Sequence, residues 1–449
     1  MSEPFLVDHT KTGAAFRRLS VPIAVQELGD QLLSVADTIA LGAVSSLALA
    51  GATAATTAFF TLILVLAGLW SGPSIIAAQR IGAGDIDGFA SAVRAGFVIP
   101  AFAAVLIAAA GFGFAQPLMH VMLGTAVDAG PAASYLILRC ISLIPINISA
   151  TLIVGLGAAG NRKLGIYLLA IINVIHIPLL LALALGWWTG HPFGIVGAGV
   201  STLLSETIAA GAAIAYTIAK PQYRIFARRT LDWSLAKRCA WLGVPESVFG
   251  FALVAPDMAI VTMLAPLGAA TIGAFRALNV VSGLTFVVPG PLQIATQTVI
   301  GQRLGANDRD GARDFLGRAL RMTLVVTTLT GLLVALGAWP LAYLFTLNAA
   351  IATIAAGPLA LHMVTMPIKG WAMVALSPIR AAGDTQFSMA VGILCGVLVV
   401  PIAWLCIERL HIGLYAVPVA WIAAWSARAL VTGWKLRGGA WATREPIAA

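Results

Sequence analysis

Gln79-Arg80-Ile81-Gly82-Ala83-Gly84-Asp85-Ile86-Asp87-Gly88 returns 223 residues later as Gln302-Arg303-Leu304-Gly305-Ala306-Asn307-Asp308-Arg309-Asp310-Gly311. The same offset carries Pro22 to Pro245, Pro117 to Pro340 and Pro178 to Pro401. It also carries Ala158-Ala159-Gly160-Asn161 to Ala381-Ala382-Gly383-Asp384. Agreement at so many separated points marks an internal duplication. Each copy sits between two long apolar runs, so the duplicated unit is a set of such runs. The chain therefore reads as two halves, 1–219 and 238–449, joined by a basic linker at 220–237.

Composition says what the runs are. The chain has 449 residues, of which 60% are hydrophobic and 10% charged. A soluble domain carries roughly 25% charged residues. A soluble core of this composition would lack polar surface to cover it, and disorder is excluded by the same figures. A helical span needs about 20 apolar residues. Twelve candidates meet that need, at 17–41, 48–79, 90–114, 131–157, 164–187, 195–219, 238–264, 269–302, 315–338, 351–379, 386–407 and 412–435. The expected fold is an all-α membrane protein with twelve transmembrane helices in two six-helix bundles. Six is even, so both halves run in the same direction. They are expected to be related by a pseudo-twofold axis along the membrane normal, with a shared cavity between them.

The net charge is +9, which in a soluble protein would first raise nucleic acid as a partner. Its placement argues otherwise. With the N-terminus inside, 22 of the 27 Lys and Arg fall on cytoplasmic segments and one, Arg409, falls outside. Arg139, Arg276, Lys369 and Arg428 lie within spans. This is a strong positive-inside bias, and it puts both termini in the cytoplasm. The basic loops meet anionic lipid head groups, so the bilayer is the expected partner and nucleic acid is not. The first run is no cleavable signal peptide, being too long and broken by Glu27, Asp30 and Asp37.

Several motifs carry no chemistry. Gly155-Leu156-Gly157-Ala158-Ala159-Gly160 matches G-x-G-x-x-G but closes a span instead of following a strand. No P-loop and no H-E-x-x-H occurs, the six histidines are scattered, and the four cysteines form no C-x-x-C pair. No metal site, disulfide framework, cofactor or enzyme activity is expected.

The polar residues inside the spans remain. An acid at mid-membrane costs roughly 2.5–3.5 kcal/mol on insertion scales. Span 1 carries three, and their geometry shows how they are accommodated. At about 100° per residue, Gln26, Glu27, Asp30, Gln31, Ser34, Asp37 and Thr38 fall within an arc of about 140°. One face of this helix therefore lines an aqueous cavity or meets protein. A cavity carboxylate can exchange protons or pair with a cation, so Asp37, Asp30 and Glu27 are the candidates for cation coupling. A structural cluster, for example with Arg139 or Arg276, is the alternative. Gln26, Ser34, Asn173, His176, Glu206, Asp257, Arg276 and Lys369 are the candidate cavity residues. Asp257 follows Pro256, so it is equally placed to satisfy backbone donors freed by a kink. Lys369 and Arg276 would neutralise carboxylates or favour an anionic part of a substrate. Pro22 is the candidate hinge, since proline removes an internal hydrogen bond; protonation at Asp37 or Asp30 would change the bend.

These residues resemble a known family. Pro22, followed by Val35-Ala36-Asp37-Thr38-Ile39-Ala40-Leu41-Gly42, resembles the opening of multidrug and toxic compound extrusion (MATE) transporters. The two Gln-Arg loops resemble that family's loops after spans 2 and 8, and Ile379-Arg380-Ala381-Ala382-Gly383-Asp384-Thr385 its loop after span 10. Span 1 is most similar to the branch named after the DNA-damage-inducible F protein. The resemblance implies secondary active efflux, two lobes forming a V-shaped cavity, and Asp37 as the N-lobe coupling residue. It departs in span 5, where the family's acid is Ile177 beside Asn173 and Pro178. It departs again where another branch has acids, here Val254 and Lys369. Those departures weaken a Na⁺ site, so H⁺ is the expected coupling ion. The implied protein is a monomeric antiporter in the bacterial inner membrane, exporting organic cationic or amphiphilic small molecules in exchange for protons. A flippase for lipid-linked precursors and a Na⁺-coupled exporter of the same fold are the alternatives. A channel would differ by showing no coupling.

Overall fold

The computed structural model describes residues 12–123, 128–188, 190–227 and 230–443. Every regular element among them is helical. The first half gives α1 (Thr12–Val44), α2 (Ser46–Gly82), α3 (Ile86–Leu123), α4 (Ala129–Ala158), α5 (Lys163–Ala184) and α6 (Gly194–Ile218). The second gives α7 (Trp233–Leu264), then α8 (Ala269–Leu284) and α9 (Pro289–Gly305), which together make one span. α10 (Arg309–Leu336) and the short α11 (Ala338–Thr346) follow. α12 (Ala349–His362) and α13 (Thr365–Ala381) form a span bent by 45° at a short break. α14 (Thr385–Trp404), α15 (Ala416–Arg437) and the short α16 (Ala440–Thr443) complete the chain.

Among the described residues, ten helices are long and apolar enough to cross a membrane, or eleven with the bent pair counted as one span. The remaining span of the expected twelve is α1. It is 33 residues long, about 50 Å at 1.5 Å per residue, and its acids and glutamines lower its hydropathy. Prolines lie inside α1 to α5, as membrane helices tolerate.

The duplicated loops share one construction. Asp85, Asp308, Asn161 and Asp384 each donate a backbone N–H to the carbonyl five residues back, at 2.9, 2.9, 2.9 and 3.0 Å. The residue before each is left-handed: Gly84 at φ 72°, Asn307 at 58°, Gly160 at 80° and Gly383 at 81°. This is the six-to-one closure of a Schellman helix end, which satisfies carbonyls the helix leaves open. In the two Gln-Arg loops the aspartate does more. Arg80 pairs with Asp85 at 2.7 Å and Arg303 with Asp308 at 2.6 Å. The second carboxylate oxygen accepts the N–H of Gly88 or Gly311, at 2.7 and 2.9 Å. A β-carbon on either glycine would collide with that aspartate, which explains why the repeat ends on glycine. The G-x-G-x-x-G stretch is simply the end of α4 and its Gly160 cap.

The chain divides into two compact units. One comprises Val25–Ser247; the other comprises 248–443 together with the described residues up to Ala24. The first unit has a core from α1 to α6 that includes Leu66, Leu136, Leu143 and Leu180. The second has two cores, one around Ile260, Phe275, Met366 and Trp425, the other around Leu292, Val299, Phe315 and Val374.

Candidate functional site

In the first unit the polar face of α1 meets α5. Gln26 lies against Gly165, where any β-carbon would meet its side-chain oxygen, and Gly29 lies against Leu169. Further along, Asp37 Oδ1 lies 2.7 Å from His176 Nε2. The partners advance together along both helices, so α1 and α5 run parallel, as spans 1 and 5 must in an alternating topology. Glycine at 29 and 165 permits the close approach that brings Asp37 to His176.

His176 is 1% exposed, whereas Asp37 retains 23% of its side-chain exposure. The pair thus has a sealed side and an open side. Behind the ring, His176 Nδ1 lies 3.4 Å from Ser205 Oγ on α6. Ser205 Oγ also lies 2.8 Å from the Ser201 carbonyl and 3.0 Å from that of Thr202. With Asp37 ionised, Nε2–H donates to it. Nδ1 then accepts from Ser205, or, in the imidazolium, donates to Ser205 while the hydroxyl turns to the carbonyls. The chain Asp37–His176–Ser205 can therefore hold a proton in either position.

Glu206, next to Ser205, is within electrostatic reach of Arg139, Asp30 and His176. Asp30 acts on Glu27 in the same way. Arg139 on α4 stacks over the Phe59 ring of α2, 4.0 Å from its centre. Four helices thus bring Glu27, Asp30, Asp37, His176, Glu206 and Arg139 into one network. Asp30, Gln31, Ser34 and Thr38 are exposed. Asn173 donates to the Leu169 carbonyl of its own helix. Pro22 lies within a continuous α1.

The second unit holds the other candidates. Asp257 accepts a hydrogen bond from Trp421 on α15. Arg276 is exposed, with no hydrogen-bond or ion-pair partner among the described residues. Lys369 is 2% exposed and lies 3.2 Å from the centre of the Phe286 ring. Sequence reasoning missed Ser205, Phe59 and Trp421. No local pattern marks them, since each acts through a helix distant in sequence.

Comparison with known proteins gives this arrangement a context. The MatE family model matches residues 22–181 and 247–405, most of the chain. The chain belongs to the MatE family. It is a multi-pass membrane transporter by that membership, and not an enzyme. It is 25% identical to a probable multidrug resistance protein NorM of Aromatoleum aromaticum, over 75% of this chain and 73% of that one. It is 23% identical to a probable multidrug resistance protein YoeA of Bacillus subtilis, over 96% and 95%. Its fold matches that of an outward-facing multidrug resistance MATE family transporter, with a TM-score of 0.88 at 19% identity over 96% and 97% of the chains. It also matches a MOP superfamily transporter from Pyrococcus furiosus, with a TM-score of 0.86 at 20% identity over 96% of each. The twelve-helix membrane fold expected from the apolar runs and the family resemblance is therefore the fold of this chain.

Proposed function

We propose that this MatE protein is a proton-coupled antiporter that exports organic cationic or amphiphilic compounds from the bacterial cytoplasm by alternating access. Relatives named as multidrug resistance proteins support the cargo class. The observation that carries the coupling reading is the 2.7 Å contact between Asp37 and His176 at the end of α1's polar face. The group touching Asp37 is a nitrogen that binds or releases a proton, whereas Na⁺ wants several oxygen ligands. Asp37 takes the proton from the open side, and His176 and Ser205 hold the charge balance on the buried side. Protonation would remove the charge that holds α1 to α5 and let α1 flex about Pro22. Asp30, Glu27 and Glu206 would carry protons or cationic cargo along the same face. One proton moving inward through about −100 mV supplies about 2.3 kcal/mol, and a pH gradient adds to that. An acidic coupling residue in α1, with Val254 and Lys369 where another branch has acids, supports placement in the branch named after the DNA-damage-inducible F protein.

The test is efflux from proteoliposomes under an imposed pH or Na⁺ gradient. Native protein should respond to the pH gradient. Asp37→Asn should lose that response while remaining folded, and His176→Gln should retain binding but shift or flatten the pH profile. Full proton-driven efflux by Asp37→Asn sinks the coupling role, and a response to Na⁺ alone sinks the choice of ion.

A second reading has an observation of its own. The second unit's spans carry buried Lys369 and Arg428, and the binding pocket of the similar Pyrococcus furiosus transporter is described as having reverse polarity. Cargo with an anionic part, such as a lipid-linked precursor, would suit such an interior.

A further inference from the structure

The outward face of α10, in the second unit, changes chemistry once along its length. From Gly317 to Leu336 the exposed residues recur every three or four positions, so they form one stripe on the helix. The opposite side, with Phe315, Ala319, Thr323, Thr327 and Gly331, is buried. The stripe begins with Arg318 and Arg321. It continues with Leu324, Val325, Leu329, Leu332, Leu333 and Leu336, which lie between 44% and 80% exposed. Thr328, the polar residue of that part, returns its hydroxyl to the Leu324 carbonyl at 2.6 Å and needs no partner from outside. So long an apolar face suits lipid and not water. From Leu324 to Leu333 the helix rises about 14 Å, close to half of a hydrocarbon core of roughly 30 Å. The stripe continues into α11, where Trp339 and Tyr343 are exposed and stacked with ring centres 5.4 Å apart. Such rings favour the interface at the far side of a bilayer.

Charge at the near end is unbalanced. Arg313 pairs with Asp310 at 3.5 Å, and Arg318 pairs with Asp314 one turn before it. Arg321 is exposed and has no hydrogen bond or ion pair among the described residues. It stands where the charged part of the stripe gives way to the apolar part. An arginine there can lay its stem along the apolar face and turn its guanidinium outward. Its planar fork of donors matches a phosphate group. The repeated scaffold does not demand this cation. The offset of 223 puts Ala95 and Val98 of α3 where α10 has Arg318 and Arg321. Arg94 of α3 instead donates to the Arg224 and Ile225 carbonyls, at 3.1 Å each.

We propose that Arg321, with Arg318 one turn before it, binds the phosphate of one anionic glycerophospholipid whose acyl chain lies along Leu324, Val325 and Leu329. The lipid belongs to the leaflet on the side of the Gln-Arg loops, which is the cytoplasmic leaflet in the positive-inside orientation. Asp314 offsets part of the Arg318 charge, so Arg321 carries the larger share of the attraction. A zwitterionic lipid brings its own cation and gains less from the same arginine. The site therefore selects by net head-group charge. It lies outside the Asp37 network and needs neither a proton gradient nor cargo.

Native mass spectrometry of the full chain, delipidated in a neutral detergent and titrated with dioleoyl phosphatidylglycerol or dioleoyl phosphatidylcholine, tests the site. The first phosphatidylglycerol should bind several-fold tighter than the first phosphatidylcholine. Arg321→Gln should weaken that first phosphatidylglycerol about fivefold, the worth of one basic residue at an anionic surface, and leave phosphatidylcholine unchanged. Arg321→Lys should stay within a few-fold of native. Lys237→Gln removes the same charge from an exposed residue of α7 and should bind both lipids as native does. Glycerol 3-phosphate, the head group without chains, should not compete. The inference is overturned if the two lipids bind native protein equally, or if Arg321→Gln binds phosphatidylglycerol as native does. It falls equally if Arg321→Gln weakens both lipids alike, or if Lys237→Gln matches its effect. Displacement by glycerol 3-phosphate would make the occupant a soluble anion and remove the lipid. Asp37→Asn should bind phosphatidylglycerol normally even where proton-driven efflux is lost, so this inference and the coupling reading fail separately.

Discussion

Gly383 stands at φ 81° and Gly160 at 80°, each two residues past the end of a helix that must stop at the membrane surface. A β-carbon in this region costs roughly 1–2 kcal/mol, with Asn the mildest exception because its short polar side chain bonds locally. Asn307, at φ 58° in one Gln-Arg loop, is that exception in this chain. Gly383→Val is therefore expected to lower stability by about 1–2 kcal/mol and Gly383→Asn by less. Thermal unfolding in detergent reads both, and equal midpoints for the two variants would contradict the account. The glycines ending the repeat were legible as a pattern, but their reason was not. Only the folded loop shows Asp85 and Asp308 occupying the space a β-carbon would need. The pairing of Asp37 with His176, 139 positions apart, had no local signature either.

At the scale of elements, helix contacts turn on small residues. A β-carbon on Gly68 of α2 would meet the Ser247 backbone, and one on Gly72 would meet the Cys239 carbonyl of α7. Ser247 Oγ donates to the Val65 carbonyl at 2.7 Å, which fixes the register. Backbone cannot yield as a side-chain tip can. Gly72→Ala is expected to cost about 1–3 kcal/mol by overpacking. Gly113→Ala in α3, where a β-carbon meets nothing within 4 Å, should be neutral or stabilising by up to about 1 kcal/mol. Similar melting shifts for the two would refute the packing argument. α1 supplies a functional counterpart. Pro22→Ala restores a backbone donor and should stiffen the helix, raising the melting temperature while slowing efflux and sparing substrate binding. A variant with unchanged turnover would remove Pro22 from the hinge role.

At the scale of the whole molecule, the charge of +9 is proposed to set the orientation. A fluorescent protein fused at the C-terminus should be fluorescent in cells, and a periplasmic phosphatase fused there should be inactive. The opposite pair of results would invert the topology. The two halves carry one repeated pattern, yet they bury different ionisable groups. The first gathers Glu27, Asp30, Asp37 and Glu206 around His176 and Arg139, whereas the second buries Lys369, His362 and Arg428.

The number and order of spans, the duplication and the polar face of α1 were all determined by the sequence itself. Each depends on run length, spacing or a period of about 3.6 residues, which are properties of consecutive residues. The tertiary structure alone decided which polar groups meet. It joined Asp37 to His176 and Asp257 to Trp421, set Glu206 within electrostatic reach of Arg139, and left Arg276 exposed while sealing Lys369 against Phe286. The physical reason is that such pairs form across helices. Their partners are chosen by how closely two backbones can approach, as at Gly29 and Gly165, and that distance is written in no single stretch of the chain.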